Sequence, residues 1–181
     1  MVDIAVLSRS VGSTIHILFL NSDGTVKSDT KIAPGLGGFP SGEMCDSSLV
    51  LLGDLDRDGF PELACGSRAD DDGSINAGAV WILFLLPDGT AHHTQKISDT
   101  EGGFVGSLDS SDFFGTSVAA LGDHNGDGVV DLVVGAHGDD AGATDTGAVW
   151  VLFLKHDRTI PAHQKISAIC GQFFGAHSLP R

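Results

Sequence analysis

The chain repeats itself, and the repeat constrains its fold more than any other feature. Three markers recur in one register along 181 residues. Turn dipeptides begin at Asp23, Asp88 and Asp157, and a Lys-Ile pair begins at Lys31, Lys96 and Lys165. Phe39, Phe104 and Phe173 complete the set, and each series steps by 65 and then 69 residues. Longer stretches keep the second offset: DLDRDGFPELACGS (54–67) matches DHNGDGVVDLVVGA (123–136), and AGAVWILFL (77–85) matches TGAVWVLFL (146–154). Self-similarity at a fixed step is the signature of repeat architectures. The units are a first repeat over 1–52, a second over 53–121 and a third over 122–181, the first with a shorter loop before VGSTIHILFL.

Each unit reads as short strands. In the second they are ELACGS (62–67), AGAVWILFL (77–85), AHHTQKIS (91–98) and FGTSVAALG (114–122). Val, Ile, Phe and Trp fill the second of these, and a Pro-Asp-Gly turn follows it, as in a hairpin. Successive side chains on a strand point to opposite faces. Val80, Ile82 and Phe84 therefore point one way, and Trp81, Leu83 and Leu85 the other. A strand apolar on both faces needs neighbours above and below its sheet. Helices are excluded because Gly, Asp and Pro interrupt every stretch. Gly supplies 25 of 181 residues, about twice the usual share of roughly 7%. The expected fold is all-β: propeller blades of four antiparallel strands, about three repeats per chain.

The acidic loop carries the chemistry. Asp54, Asp56, Asp58 and Glu62 form D-x-D-x-D-G-x-x-E, and Asp123, Asn125, Asp127 and Asp131 form D-x-N-x-D-G-x-x-D. Positions 1, 3 and 5 offer side-chain oxygens to one concavity. The carbonyl at position 7, Phe60 or Val129, adds a neutral oxygen, and the carboxylate at position 9 closes the shell. An all-oxygen shell of about six ligands in a flexible loop selects calcium over magnesium, so two calcium ions per chain are expected. Converging carboxylates without a counter-ion would repel. An EF-hand requires Glu at position 12, where this chain has Cys65 and Val134 inside expected strands. The first loop has four carboxylates and the second has three plus an amide, so by charge the first should bind more tightly.

The stretch 113–154, FFGTSVAALGDHNGDGVVDLVVGAHGDDAGATDTGAVWVLFL, resembles the FG-GAP repeat of integrin α-subunit propellers and their bacterial relatives. Phe114–Gly115 stands as the FG, the acidic loop follows, and Gly135–Ala136 begins the GAP, with His137 in place of Pro. The unit around Asp54 departs: Cys45–Asp46 replaces Phe–Gly, and Gly66–Ser67–Arg68 replaces GAP. The first unit keeps only the part after its loop, with Asp3 aligned to the last ligand. The resemblance implies an extracellular or cell-surface adhesion or recognition module in which calcium stiffens the blades. It also leaves a carbohydrate-binding propeller, with Trp81 or Trp150 stacking sugars, or an accessory domain of a larger secreted protein. The segment MVDIAVLSRS has no basic region followed by an apolar stretch, so no secretory signal is read in this chain.

Propellers close with roughly four to eight blades. This chain offers the last three strands of one blade and two full blades. The tail FFGAHSLPR (173–181) aligns either as a loop, through Phe173, or as an innermost strand, through Phe174–Gly175. In the second alignment a homodimer would complete a six-bladed ring. The alternative is a fragment of a longer propeller.

The net charge of −14 disfavours nucleic acid as a partner. No apolar run approaches the roughly 18 residues of a membrane helix. No G-x-S-x-G, H-E-x-x-H or P-loop is present, and the acids are better used on calcium, so the chain reads as no enzyme. The loops at Asp70–Asp72 and Asp139–Asp140 read as solvated acids, with a second cation site or a binding rim as the rival. His92 and His93 read as surface residues facing opposite ways. Cys45, Cys65 and Cys170 are too few and odd in number for a disulfide framework, and Cys65 reads as a small strand hydrophobe.

Overall fold

The computed structural model describes residues 4–9, 12–140 and 146–167. Its strands are β1 (Ile4–Ser8), β2 (Thr14–Leu20), β3 (Val26–Ile32), β4 (Leu49–Gly53), β5 (Glu62–Ser67), β6 (Ala79–Leu85), β7 (Ala91–Ile97), β8 (Phe114–Gly122), β9 (Asp131–Ala136), β10 (Ala148–Phe153) and β11 (Ala162–Ser167). They form three antiparallel sheets, β1-β2-β3, β4-β5-β6-β7 and β8-β9-β10-β11, and no helix occurs among the described residues. These are propeller-like blades that do not close into a ring. Asp3, the tail at 173–181 and Cys170 lie outside the described residues.

Sheet and sequence repeat are out of phase by one strand. FGTSVAALG is β8, which pairs with β9 rather than with β7. A unit that opens at the acidic loop therefore ends on the first strand of the following sheet. The loop itself is the connection between the first two strands of a sheet, β4 to β5 and β8 to β9.

The middle strand β6 sorts its side chains as the alternation requires. Val80, Ile82 and Phe84 join Leu132, Val134, Trp150 and Leu152 in the core between the second and third sheets. Trp81, Leu83 and Leu85 join Ile15, Ile17, Ile32 and Phe39 in the core between the first and second. All seven residues of β6 are buried. Each large apolar side chain buried this way contributes about 1.5–3 kcal/mol. The outer faces of the end sheets differ, since Ile4 and Val6 on the first and Val149 and Ile166 on the third remain exposed.

Adjacent sheets lock by a recurring aromatic contact. Phe39, on the loop leaving the first sheet, meets the edge of Trp81 at 5.1 Å, and Phe104 meets Trp150 at 5.2 Å. The third sheet also enters close against the second. A Cβ on Gly115, at φ 88°, would sit 2.2 Å from the Ala79 carbonyl oxygen, and one on Gly66 would sit 1.8 Å from that of Gly115. Only glycine permits both the conformation and the approach. Ser47 Oγ donates to the Gly115 carbonyl at 2.8 Å across this junction.

The reading of the cysteines is corrected here. Cys45 and Cys65 form a disulfide, with Cα atoms 5.6 Å apart. The repeat explains the meeting. Cys45 occupies the place of Phe114 and Cys65 that of Val134, and those two residues share a core cluster. Two inward, neighbouring core positions have become a covalent link.

Candidate metal centre

Each acidic loop is built by its own backbone. In the first, Gly59 N–H donates to Asp54 Oδ2 at 3.1 Å, Asp58 N–H to Asp56 Oδ1 at 3.3 Å, and Phe60 N–H to Asp58 Oδ1 at 2.8 Å. Leu55 N–H donates to Glu62 Oε2. In the second, Gly128 N–H donates to Asp123 Oδ2 at 2.9 Å, Asp127 N–H to Asn125 Oδ1 at 2.9 Å, and Val129 N–H to Asp127 Oδ1 at 3.0 Å. His124 N–H donates to Asp131 Oδ2 at 2.9 Å. The two loops share one fold, position by position. Asp and Asn suit it because their short side chains accept from backbone two residues on. The EF-hand is excluded on geometry as well, since Cys65 and Val134 lie within β5 and β9.

The ninth-position carboxylates decide what the loops can hold. Glu62 and Asp131 are fully buried, and one oxygen of each, Glu62 Oε1 and Asp131 Oδ1, has no hydrogen-bond partner. An unpartnered buried polar atom is costly, and native structures rarely leave one without a reason such as an ion. Burial pushes the Glu62 carboxyl up to about 7, with the charges of Asp56, Asp58 and Asp54 adding to the rise and the Leu55 N–H opposing it. Burial likewise raises Asp131. Oxygens of Asp54, Asp56 and Glu62 lie within 4.8 Å of one another. The second loop forms no comparable trio of carboxylates among the described residues. The donor set, all oxygen and mostly anionic, fits a hard divalent cation.

Three neighbours of the first loop have no signal in its motif. His92 Nε2 lies 3.9 Å from Asp58 Oδ2. Arg158, from the turn between β10 and β11, reaches Asp56 Oδ2 at 3.0 Å. His156 Nδ1 lies 2.5 Å from the Leu55 carbonyl and must donate to it. The expectation that His92 and His93 face opposite ways is also corrected. The register shifts between Phe84 and Leu85, and both imidazoles lie against the Phe84 ring, at 6.3 and 5.3 Å.

Among the acids after the second strand of each full sheet, Asp70 and Asp139 are buried and paired with lysine, whereas Asp71 and Asp140 are exposed. Lys96, the lysine of the repeated Lys-Ile pair, places Nζ 2.8 Å from Asp70 Oδ2, 2.8 Å from Asp72 Oδ2 and 3.3 Å from Glu43 Oε2. Burial pulls its pKa down, but the hydrogen bonds and charges of these acids outweigh it and hold the lysine above its ordinary value. Lys165 meets Asp139 in the same way at 2.5 Å. Each lysine also lies over the indole of its sheet, Trp81 at 5.5 Å and Trp150 at 4.9 Å. Buried between Phe and Lys, neither indole offers a platform for a sugar.

The matches with known proteins coincide with these elements. The family model of the FG-GAP repeat matches residues 47–83 and 114–152, each span holding one acidic loop and the strands around it. The chain carries FG-GAP repeats. Integrin alpha-5 of Xenopus laevis is 42% identical over 94 residues, which are 52% of this chain and 8% of that protein. Integrin alpha-2 of Mus musculus is 36% identical over 94 residues, 51% of this chain and 7% of that protein. Integrin alpha-2 of Bos taurus is 34% identical over 94 residues, again 51% and 7%. The chain thus spans less than a tenth of the length of these relatives. Its FG-GAP spans follow the sheets rather than the units that open at each acidic loop.

Proposed function

We propose that the chain is an integrin-like, calcium-stabilised FG-GAP module for adhesion or molecular recognition, with calcium in a structural role. Asp54, Asp56, Asp58, the Phe60 carbonyl and Glu62 hold one ion. Asp123, Asn125, Asp127, the Val129 carbonyl and Asp131 hold the second. The observation that carries this reading is the pair of buried carboxylate oxygens without partners, Glu62 Oε1 and Asp131 Oδ1. Bound calcium supplies the positive charge that these converging oxygens need. The chain's own contribution is to orient them: backbone N–H groups fix positions 1, 3 and 5, and burial fixes position 9.

The cell surface is the compartment this reading implies. The Cys45–Cys65 bond agrees with it, because disulfides persist in oxidising surroundings. No helix of the described residues is long and apolar enough to cross a membrane. Recognition by this reading falls to loops carried by the rigid sheets.

Thermal unfolding with and without calcium tests the proposal. An ion that binds only the native state adds about 2.7 kcal/mol at a hundredfold excess over Kd. The melting temperature should rise with calcium in the intact chain and lose that response when Asp54 and Asp123 are both replaced by Asn. An unchanged melting curve would end the calcium assignment.

A further inference from the structure

Arg158 stands where the other two hairpin turns carry glycine. The turns Asp23–Thr25, Asp88–Thr90 and Asp157–Thr159 are built alike, with the Asp Oδ1 accepting from the Thr N–H at 2.9, 2.9 and 3.0 Å. Their central residues are Gly24 at φ 84°, Gly89 at φ 80° and Arg158 at φ 67°. A side chain adopts this left-handed region at a cost that glycine avoids. Non-glycine residues held there point to a local use.

The use is visible in the contacts. The guanidinium lies over the Phe84 ring, 4.5 Å from its centre, and Nη2 lies 3.0 Å from Asp56 Oδ2. The Arg158 carbonyl accepts from Gln95 Nε2 at 2.7 Å. A residue of the third sheet thus delivers a permanent positive charge to the third ligand position of the second sheet's loop. A guanidinium cannot shed that charge. In the second loop, by contrast, the hydrogen bonds to Asp123, Asn125, Asp127 and Asp131 among the described residues come from backbone N–H groups and the Asn125 amide.

We propose that Arg158 is a tethered counter-ion that lowers the calcium affinity of the first loop, making it the weaker of the two sites. The proposal rests on the calcium reading. It reverses the order that the count of carboxylates suggests. It also ties the two sheets together: calcium entering the first loop competes with the turn of the third sheet for Asp56.

Calorimetric calcium titration of the intact chain, R158G, R158Q and R158K tests it, with D123N marking the second site. R158G installs the residue that the other two turns already use. R158G and R158Q should each tighten one site by about tenfold. That site should be the one surviving in D123N, and R158K should stay near the parent affinity. Tightening in R158G alone would trace the effect to backbone release, and unchanged affinities in both would remove the counter-ion role; either overturns the proposal. Absence of calcium uptake in every variant would instead overturn the calcium reading, and this proposal with it.

Discussion

Glu62 and Asp131 carry the tension of this molecule at the scale of single residues. Each is a carboxylate that the fold buries and then leaves one oxygen short of a partner. For Glu62 the folded-state pKa, about 7, lies above its ordinary value of 4.5. The folded chain therefore holds a proton that the unfolded chain releases, and stability falls as pH rises through that window. In chelator, the intact chain should lose on the order of 3 kcal/mol from this group between pH 4.5 and pH 7. E62Q should flatten the slope, and urea unfolding across pH measures it. A slope that survives in E62Q would assign the loss to other groups. The ninth position is legible from the motif spacing, but its burial is not, because burial comes from neighbouring strands.

At the scale of elements, the junction of β4 and β5 is where local pattern and packing diverge. The acidic loop between them follows from Asp and Gly spacing, since the hydrogen bonds from backbone N–H groups to its carboxylates are made within nine residues. The disulfide does not. Cys45 and Cys65 are 20 residues apart. The register pairs Cys65 with Leu49, and it is the segment before β4, held to β5 by Asp46 N–H donating to the Gly66 carbonyl, that brings Cys45 to it. Closing a loop of that length removes unfolded-state entropy worth about 3 kcal/mol. Replacing Cys45 and Cys65 with Ala should lower stability by that order in denaturant melts under oxidising conditions. A smaller loss in the double variant than in either single one would show that one lone buried thiol is the larger defect. The lysine clusters behave similarly. The Lys-Ile pair is plain in the sequence, yet its pairing with Asp70, Asp72 and Asp139 needs two connections to converge.

At the scale of the whole molecule, the unfinished faces matter most. The middle sheet is covered on both sides, whereas Ile4, Val6, Val149 and Ile166 are exposed on the outer faces of the end sheets. Apolar faces of this kind mark interaction surfaces. We propose that a second copy of the chain covers them in a homodimeric, six-bladed ring. Native mass spectrometry in calcium should then show a dimer with four ions, two per chain. A monomer with two ions would leave the ion sites intact and remove the ring.

The sequence by itself determined the repeat, the all-β class, the strand order within each sheet and the positions of both acidic loops. These depend on short-range rules: two-residue alternation, turn chemistry and ligand spacing. Tertiary structure alone decided the Cys45–Cys65 link, the lysine at each acidic pair and the reach of Arg158 to Asp56. Those contacts join residues 20 to 102 positions apart. They are settled by the packing of one sheet on the next, which no local pattern encodes.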